Sequence, residues 1–205
     1  MKKTTQLIIT IVLGVAIVVL AYVLYQQIMT PLRFQNEVKN RETAVIERIK
    51  DIRSAERAYK TAFGAYTGDF DSLITFVLTD SLEFERSFGS KDDTTSTFRT
   101  EKFLMAAIDT VFGNKKLTPE AVKQLRFIPH GDGAQFYLDA GILETQSGVK
   151  VPVFEAKATY KLFLADLDKQ ELINMIDESK NVYHKYPGIK VGSMEQATND
   201  AGNWE

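Results

Sequence analysis

The chain has 205 residues, a formal net charge of −2, no cysteine and a hydrophobic content of 44%. That balance argues against a nucleic-acid partner, whose recognition needs a basic surface. The missing cysteine excludes disulfides, thiolate chemistry and a lipoprotein anchor, and the length remaining beyond an apolar anchor suits one domain with an extension rather than two.

In chain order, Lys2 and Lys3 precede an uncharged apolar run from Leu7 to Tyr25. At a helical rise of ~1.5 Å per residue the run is ~28 Å long, close to the ~30 Å hydrocarbon core of a bilayer. Residues 7–25 are therefore predicted to form a transmembrane helix behind a short cytoplasmic tail, residues 1–6. The positive-inside rule orients Lys2 and Lys3 to the cytoplasm, which leaves the rest of a single-pass inner-membrane protein outside. Arg33, Lys39 and Arg41 weaken that bias without reversing it, because the tail is very short. A cleaved signal peptide is the competing reading, with small residues near Val19, Leu20 and Ala21. The continuation through Tyr22, Val23, Leu24 and Tyr25 exceeds a usual signal core and favours an uncleaved anchor.

Residues 31–63 are predicted to form an amphipathic stalk helix, with Pro31 in its first turn or at a kink. No glycine or further proline interrupts Leu32 to Phe63. Apolar residues recur at Val38, Val45, Ile49, Ile52, Ala55, Tyr59 and Ala62, one narrow seam in steps of three, four and seven. Val38, Val45, Ile49 and Ile52 are the candidate assembly seam, through which the stalk would pair with another chain. Burial of the same seam in the chain's own domain is an equal alternative. Glu37 with Arg41 and Glu56 with Lys60 read as i,i+4 ion pairs on the other faces.

Gly64 suits the end of that helix, and residues 64–192 are predicted to form an extracytoplasmic α+β domain. Asp71 caps a short helix through Val77, and a polar stretch from Ser87 to Thr97 reads as an exposed loop. Phe98 to Phe112 goes from extended to helical, and Thr118 and Pro119 start another helix. Short strands are expected at 125–128, 134–138, 151–154 and 159–164, with Ser147 and Gly148 at a hairpin tip. Asp168 caps a helix through about Val182, and residues 189–191 form an edge strand. Residues 193–205 are a polar C-terminal tail. The expected fold class is α+β, a transmembrane helix and long stalk packed on a small antiparallel sheet.

Chemistry is sparse. His130 and Asp132 lie at a spacing found in metal sites, but two ligands are too few, and a glycine-flanked turn explains them better. His184 has no evident partner. Asp166 with Asp168, and Asp92 with Asp93, form acidic pairs, best read as a helix cap and as solvated loop charges. The loop at Asp69 and Asp71 lacks the ligands of a calcium loop, and no phosphate loop, HExxH or GxSxG motif occurs. No catalytic residue, metal, cofactor or small-molecule substrate is therefore expected.

Ile49, Ile52, Ala55, Glu56 and Tyr59, followed by Phe63, Gly64, Tyr66, Gly68 and Leu73, resemble the helix end and following loop of type IV pilins and pseudopilins. The resemblance covers roughly the first third of the chain. It implies an apolar helix that bundles with copies of itself into a filament or short pseudopilus, with sheet domains facing outward. The family's glycine cleavage junction has no counterpart between Lys3 and Leu7, and no acidic residue precedes Glu37, where the family carries a glutamate in its apolar helix. The expectation is a non-enzymatic envelope protein that works by protein–protein assembly. The alternatives are a bitopic scaffold of a pilus or secretion machine and, behind it, an anchored enzyme or ligand-binding domain.

Overall fold

A computed structural model of the chain describes residues 2–88, 99–145 and 148–205. It is α+β, a long apolar N-terminal helix followed by two small antiparallel sheets. The helix, α1, runs unbroken from Lys2 to Phe63, about 90 Å over its 62 residues. The expected anchor and stalk are thus one element. Pro31 lies inside it, where its ring removes the N–H that would bond the Gln27 carbonyl. Gly64 ends α1 at φ +78° while its N–H donates to the Lys60 carbonyl (2.8 Å), the left-handed closure that glycine adopts without strain.

Beyond Gly64 the chain turns into α2, Phe70–Thr79. Its cap is Asp69, whose carboxylate accepts from the Ser72 N–H at 2.8 Å. Asp71, the expected cap, lies in the first turn and pairs with Arg126. Then β1 (Ser81–Phe88) and β2 (Arg99–Ala106) form a two-stranded ribbon. The loop expected from Ser87 thus begins as the end of β1, and Asp92 and Asp93 lie outside the described residues. Two short helices follow, α3 (Ala107–Phe112) and α4 (Pro119–Lys123). The second is capped by the Thr118 hydroxyl, as its sequence leads one to expect.

The main sheet has the order β3-β4-β5, all antiparallel. Its strands are β3 (Tyr137–Glu144), β4 (Lys150–Thr159) and β5 (Gly188–Gly192). Gly148 lies at the β3–β4 connection, while Ser147 is outside the described residues. Two expected strands are corrected. Leu125 lies in a single helical turn, with only Phe127 bridging Gln135 beyond it. Residues 160–163 form a helical turn, α5, in place of a strand, because β4 ends at Thr159 and Tyr160 donates its N–H to the Pro187 carbonyl (3.1 Å). Asp168 caps α6 (Lys169–Asp177), which continues as a wider π-type turn through Val182.

The core lies between α1 and the domain. Phe154, Ala156 and Ala158 of β4 and Ile189 and Val191 of β5 are buried with α2 and α3 against α1. The polar C-terminal tail is held in place: Gly202 bridges Val191, and the Asn203 N–H donates to the Lys190 carbonyl (3.0 Å).

Candidate membrane and assembly surface

α1 divides into two chemically distinct parts. From Leu7 to Ile28 its large apolar side chains are exposed, Val15 by 59% and Tyr22 by 62%. It is the one helix, among the described residues, long and apolar enough to cross a membrane. Two pairs of its polar groups are bonded within the helix. The Thr10 hydroxyl donates to the Gln6 carbonyl, and the Gln26 amide donates to the Tyr22 hydroxyl, each at 2.9 Å. Internal pairing of this kind lowers the cost of polar groups in hydrocarbon. Lys2 and Lys3 lie in the first turn of the same helix.

From Phe34 onward α1 belongs to the domain core. Val38 is 7% exposed, and Val45, Ile49 and Ile52 are 0% exposed. The candidate assembly seam is therefore internal: α2, α3, β4 and β5 of the same chain cover it, and it offers no free surface for a second chain. Periodicity shows that a face is buried without showing what buries it. Phe34, one helical turn before Val38, extends this face and was missed, although its i,i+4 spacing carries the signal.

Polar contacts fix α1 along its length. Arg41 donates to both Asp166 oxygens (2.5 and 2.8 Å) and to the Phe163 carbonyl (2.8 Å), and it lies 3.8 Å from its expected partner Glu37. The Arg41 hydrogen bond holds the Asp166 carboxyl down at about 2. Asp168 instead receives the Gln170 and Glu171 N–H groups, so the acidic pair splits into an ion pair and a cap. Lys115 meets Asp51 (2.5 Å) and Glu47 (3.5 Å), and Arg48 donates to the Gln124 carbonyl.

The densest polar cluster lies at the distal end of α1. Glu56, expected as a surface partner of Lys60, is instead 0% exposed. One of its oxygens accepts the Thr67 N–H (3.0 Å), the other has no partner, and burial pushes its carboxyl up to about 8. Beside it the Tyr66 hydroxyl donates to Asp200 (2.8 Å), and Arg57 pairs with the same carboxylate (3.0 Å). Burial first, and then the Asp200 carboxylate, push the Tyr66 phenol upward. Arg53 donates to Glu205 (2.6 Å) and lies 5.9 Å from the Trp204 ring. A cavity of ≈ 140 Å³ opens here between Lys60, Tyr66, Phe154, Ser193 and Asp200. The Asp200 carboxylate is fully engaged by Tyr66 and Arg57, which makes this cluster a latch between helix and tail.

His130 and Asp132 both have left-handed backbones (φ 59° and 48°) in the turn between Ile128 and Ala134. Among the described residues no three His, Asp or Glu side chains converge as a metal ion requires. No protein-family model matches the chain, and comparison with curated proteins and with solved structures finds no match.

Proposed function

We propose that this chain is a non-enzymatic, single-pass membrane protein of pilin-like build, anchored and assembled through the exposed arm of α1. The observation that carries this reading is the division of one continuous helix. The segment from Leu7 to Ile28 is apolar and uncovered, and the segment from Phe34 to Ala55 is core. An uncovered apolar helix of that length is stable only in lipid or against other apolar helices. With Lys2 and Lys3 in the cytoplasm, the domain lies outside the inner membrane. A long helix whose second half packs on a small antiparallel sheet is also the layout implied by the resemblance of residues 49–73 to pilins and pseudopilins.

The absence of any acidic residue before Glu37 favours a second reading, a scaffold that dimerises or recruits a partner in the membrane without entering a filament. Oxidising native membranes whose chains carry two cysteines on opposite sides of the arm, at Val15 and Ile17, separates the two, because the chain has no cysteine of its own. A ladder of self-linked species beyond the dimer is the result expected for a filament subunit. A single dimer or one foreign band would assign the scaffold, and no cross-link at any position would reject assembly through the arm.

A further inference from the structure

The C-terminal residues cover one edge of the main sheet, partly with a side chain. On β5 the N–H groups of Lys190 and Gly192 point away from β4. The Gly192 N–H donates to the Ala201 carbonyl, and the Lys190 N–H donates to the Asn203 Oδ1, each at 3.0 Å. The Asn203 N–H and Nδ2 donate in return to the Lys190 and Gly188 carbonyls (3.0 and 2.8 Å). The Asn203 carboxamide thus stands in for a peptide group of a further strand, and it closes an edge that would otherwise present unpaired groups.

Polar contacts more than packing hold this segment. No residue from Thr198 to Glu205 is fully buried, and Trp204 is its one large apolar side chain against the core. Asp200 takes Tyr66 and Arg57 on its carboxylate and Arg53 on its carbonyl (3.2 Å). Asn199 and Asp200 are both left-handed (φ 54° and 59°). Asn and Asp adopt that conformation singly, and two in succession make a turn that its neighbours must hold. Glu56, 0% exposed and with one oxygen unpartnered, adjoins this turn. From outside α1 the groups that act on it are the Thr67 N–H, the Tyr66 phenol and the Asp200 carboxylate. Its basic neighbours on α1 are bonded elsewhere: Arg53 to Glu205, Arg57 to Asp200 and Lys60 to the Tyr66 hydroxyl (3.3 Å). An ionised Glu56 would be a buried charge facing a second carboxylate, and moving Asp200 away both removes that repulsion and admits water.

We infer that residues 198–205 are a strap that stays closed while Glu56 is protonated, and that ionisation of Glu56 releases it and uncovers the β5 edge. Burial first, and then the Asp200 charge, push the Glu56 carboxyl up to about 8 in the closed strap, and hydration on opening returns it toward 4.5. The ratio of open to closed chains therefore rises by up to about tenfold per pH unit between about pH 5 and about pH 8, and levels off above that. Amide hydrogen exchange of the full-length chain in uncharged detergent, read residue by residue, measures this ratio. Each rate is divided by the unstructured-peptide rate at the same pH, which removes base catalysis. Lys190 and Gly192 report the strap. Ile189 and Val191, which alternate with them and lie opposite Ala158 and Ala156 of β4, are the reference on the same strand.

The expected result is weaker protection at Lys190 and Gly192 than at Ile189 and Val191, falling by up to about tenfold per pH unit from about pH 5 to about pH 8. Glu56→Gln, which keeps an acceptor for Thr67 without the charge, should remove most of that fall. Tyr66→Phe keeps the ring on Phe154 and loses the bond to Asp200, so it should lower protection at Lys190 and Gly192 several-fold already at pH 5. Protection that does not change with pH, or that falls equally in Glu56→Gln, overturns the switch. Equal protection at all four β5 residues means that the edge opens only with the whole domain, which also overturns it. Loss of protection confined to Thr67 assigns the opening to the loop and overturns the strap. Unchanged protection in Tyr66→Phe does so too, and it decides the matter if Glu56→Gln does not fold.

Discussion

At Glu56 the fold keeps a carboxyl group in its core, with one oxygen on the Thr67 N–H and the other without a partner. Its pKa is raised from 4.5 to about 8, so the folded chain holds a proton that the unfolded chain has released between those values. This contribution is complete below about pH 4.5 and is lost as pH rises toward 8. Asp166 has the opposite sign. Its carboxyl is lowered from 3.8 to about 2, so its contribution is present above 3.8 and lost as pH falls through about 2. Urea midpoints should fall from about pH 5 to about pH 8.5, and Glu56→Gln should flatten that slope while keeping an acceptor for Thr67. Glu56→Ala should cost about 1–3 kcal/mol near pH 5 by leaving the Thr67 N–H unpaired, and less as pH rises toward 8. None of this was legible in the sequence. The i,i+4 rule treats Glu56 and Lys60 as a surface pair, and only the return of residues 64–68 over the helix buries Glu56.

At the scale of elements, α1 has two parts, one exposed and apolar and one buried in the domain core, with opposite sensitivities. Ile49→Ala should destabilise the domain by about 2–5 kcal/mol in denaturant titrations, because it empties a fully buried site. Single cysteines at Val38, Val45 and Ile49 should give no disulfide-linked dimers, since their partners lie in the same chain. Pro31→Ala restores the missing N–H and should slow hydrogen exchange around Gln27 to Phe34 with little change in the domain's urea midpoint. Caps and turns were the readable features: Gly64, Thr118 and Asp168 act where local chemistry places them. The misread elements depend on distant partners. Residues 160–163 coil because Pro187 takes the Tyr160 N–H, and the tail is ordered by Arg53, Arg57 and Lys190. β1 was missed despite its period-two pattern, with Leu82 and Phe84 alternating with Glu83 and Glu85.

For the whole molecule, the arm was the most legible part, because its apolar run is contiguous in the sequence and needs no distant partner to be recognised. The covering of the seam was not legible, since it depends on how strands far along the chain fold back onto α1. The resulting picture is a domain joined to the exposed apolar arm by one continuous helix, so that what orients Leu7 to Ile28 also bears on the sheet. The most direct test of that picture is two-sided labelling of cells with a membrane-impermeant maleimide, using single cysteines at Lys3 and at the exposed Asn174. The anchor reading predicts that Asn174→Cys is labelled on cells with a permeable outer layer, that Lys3→Cys is labelled only after the inner membrane is opened, and that alkaline carbonate leaves the chain in the membrane. Equal labelling of both positions before that opening, or release of the chain by carbonate, would contradict it.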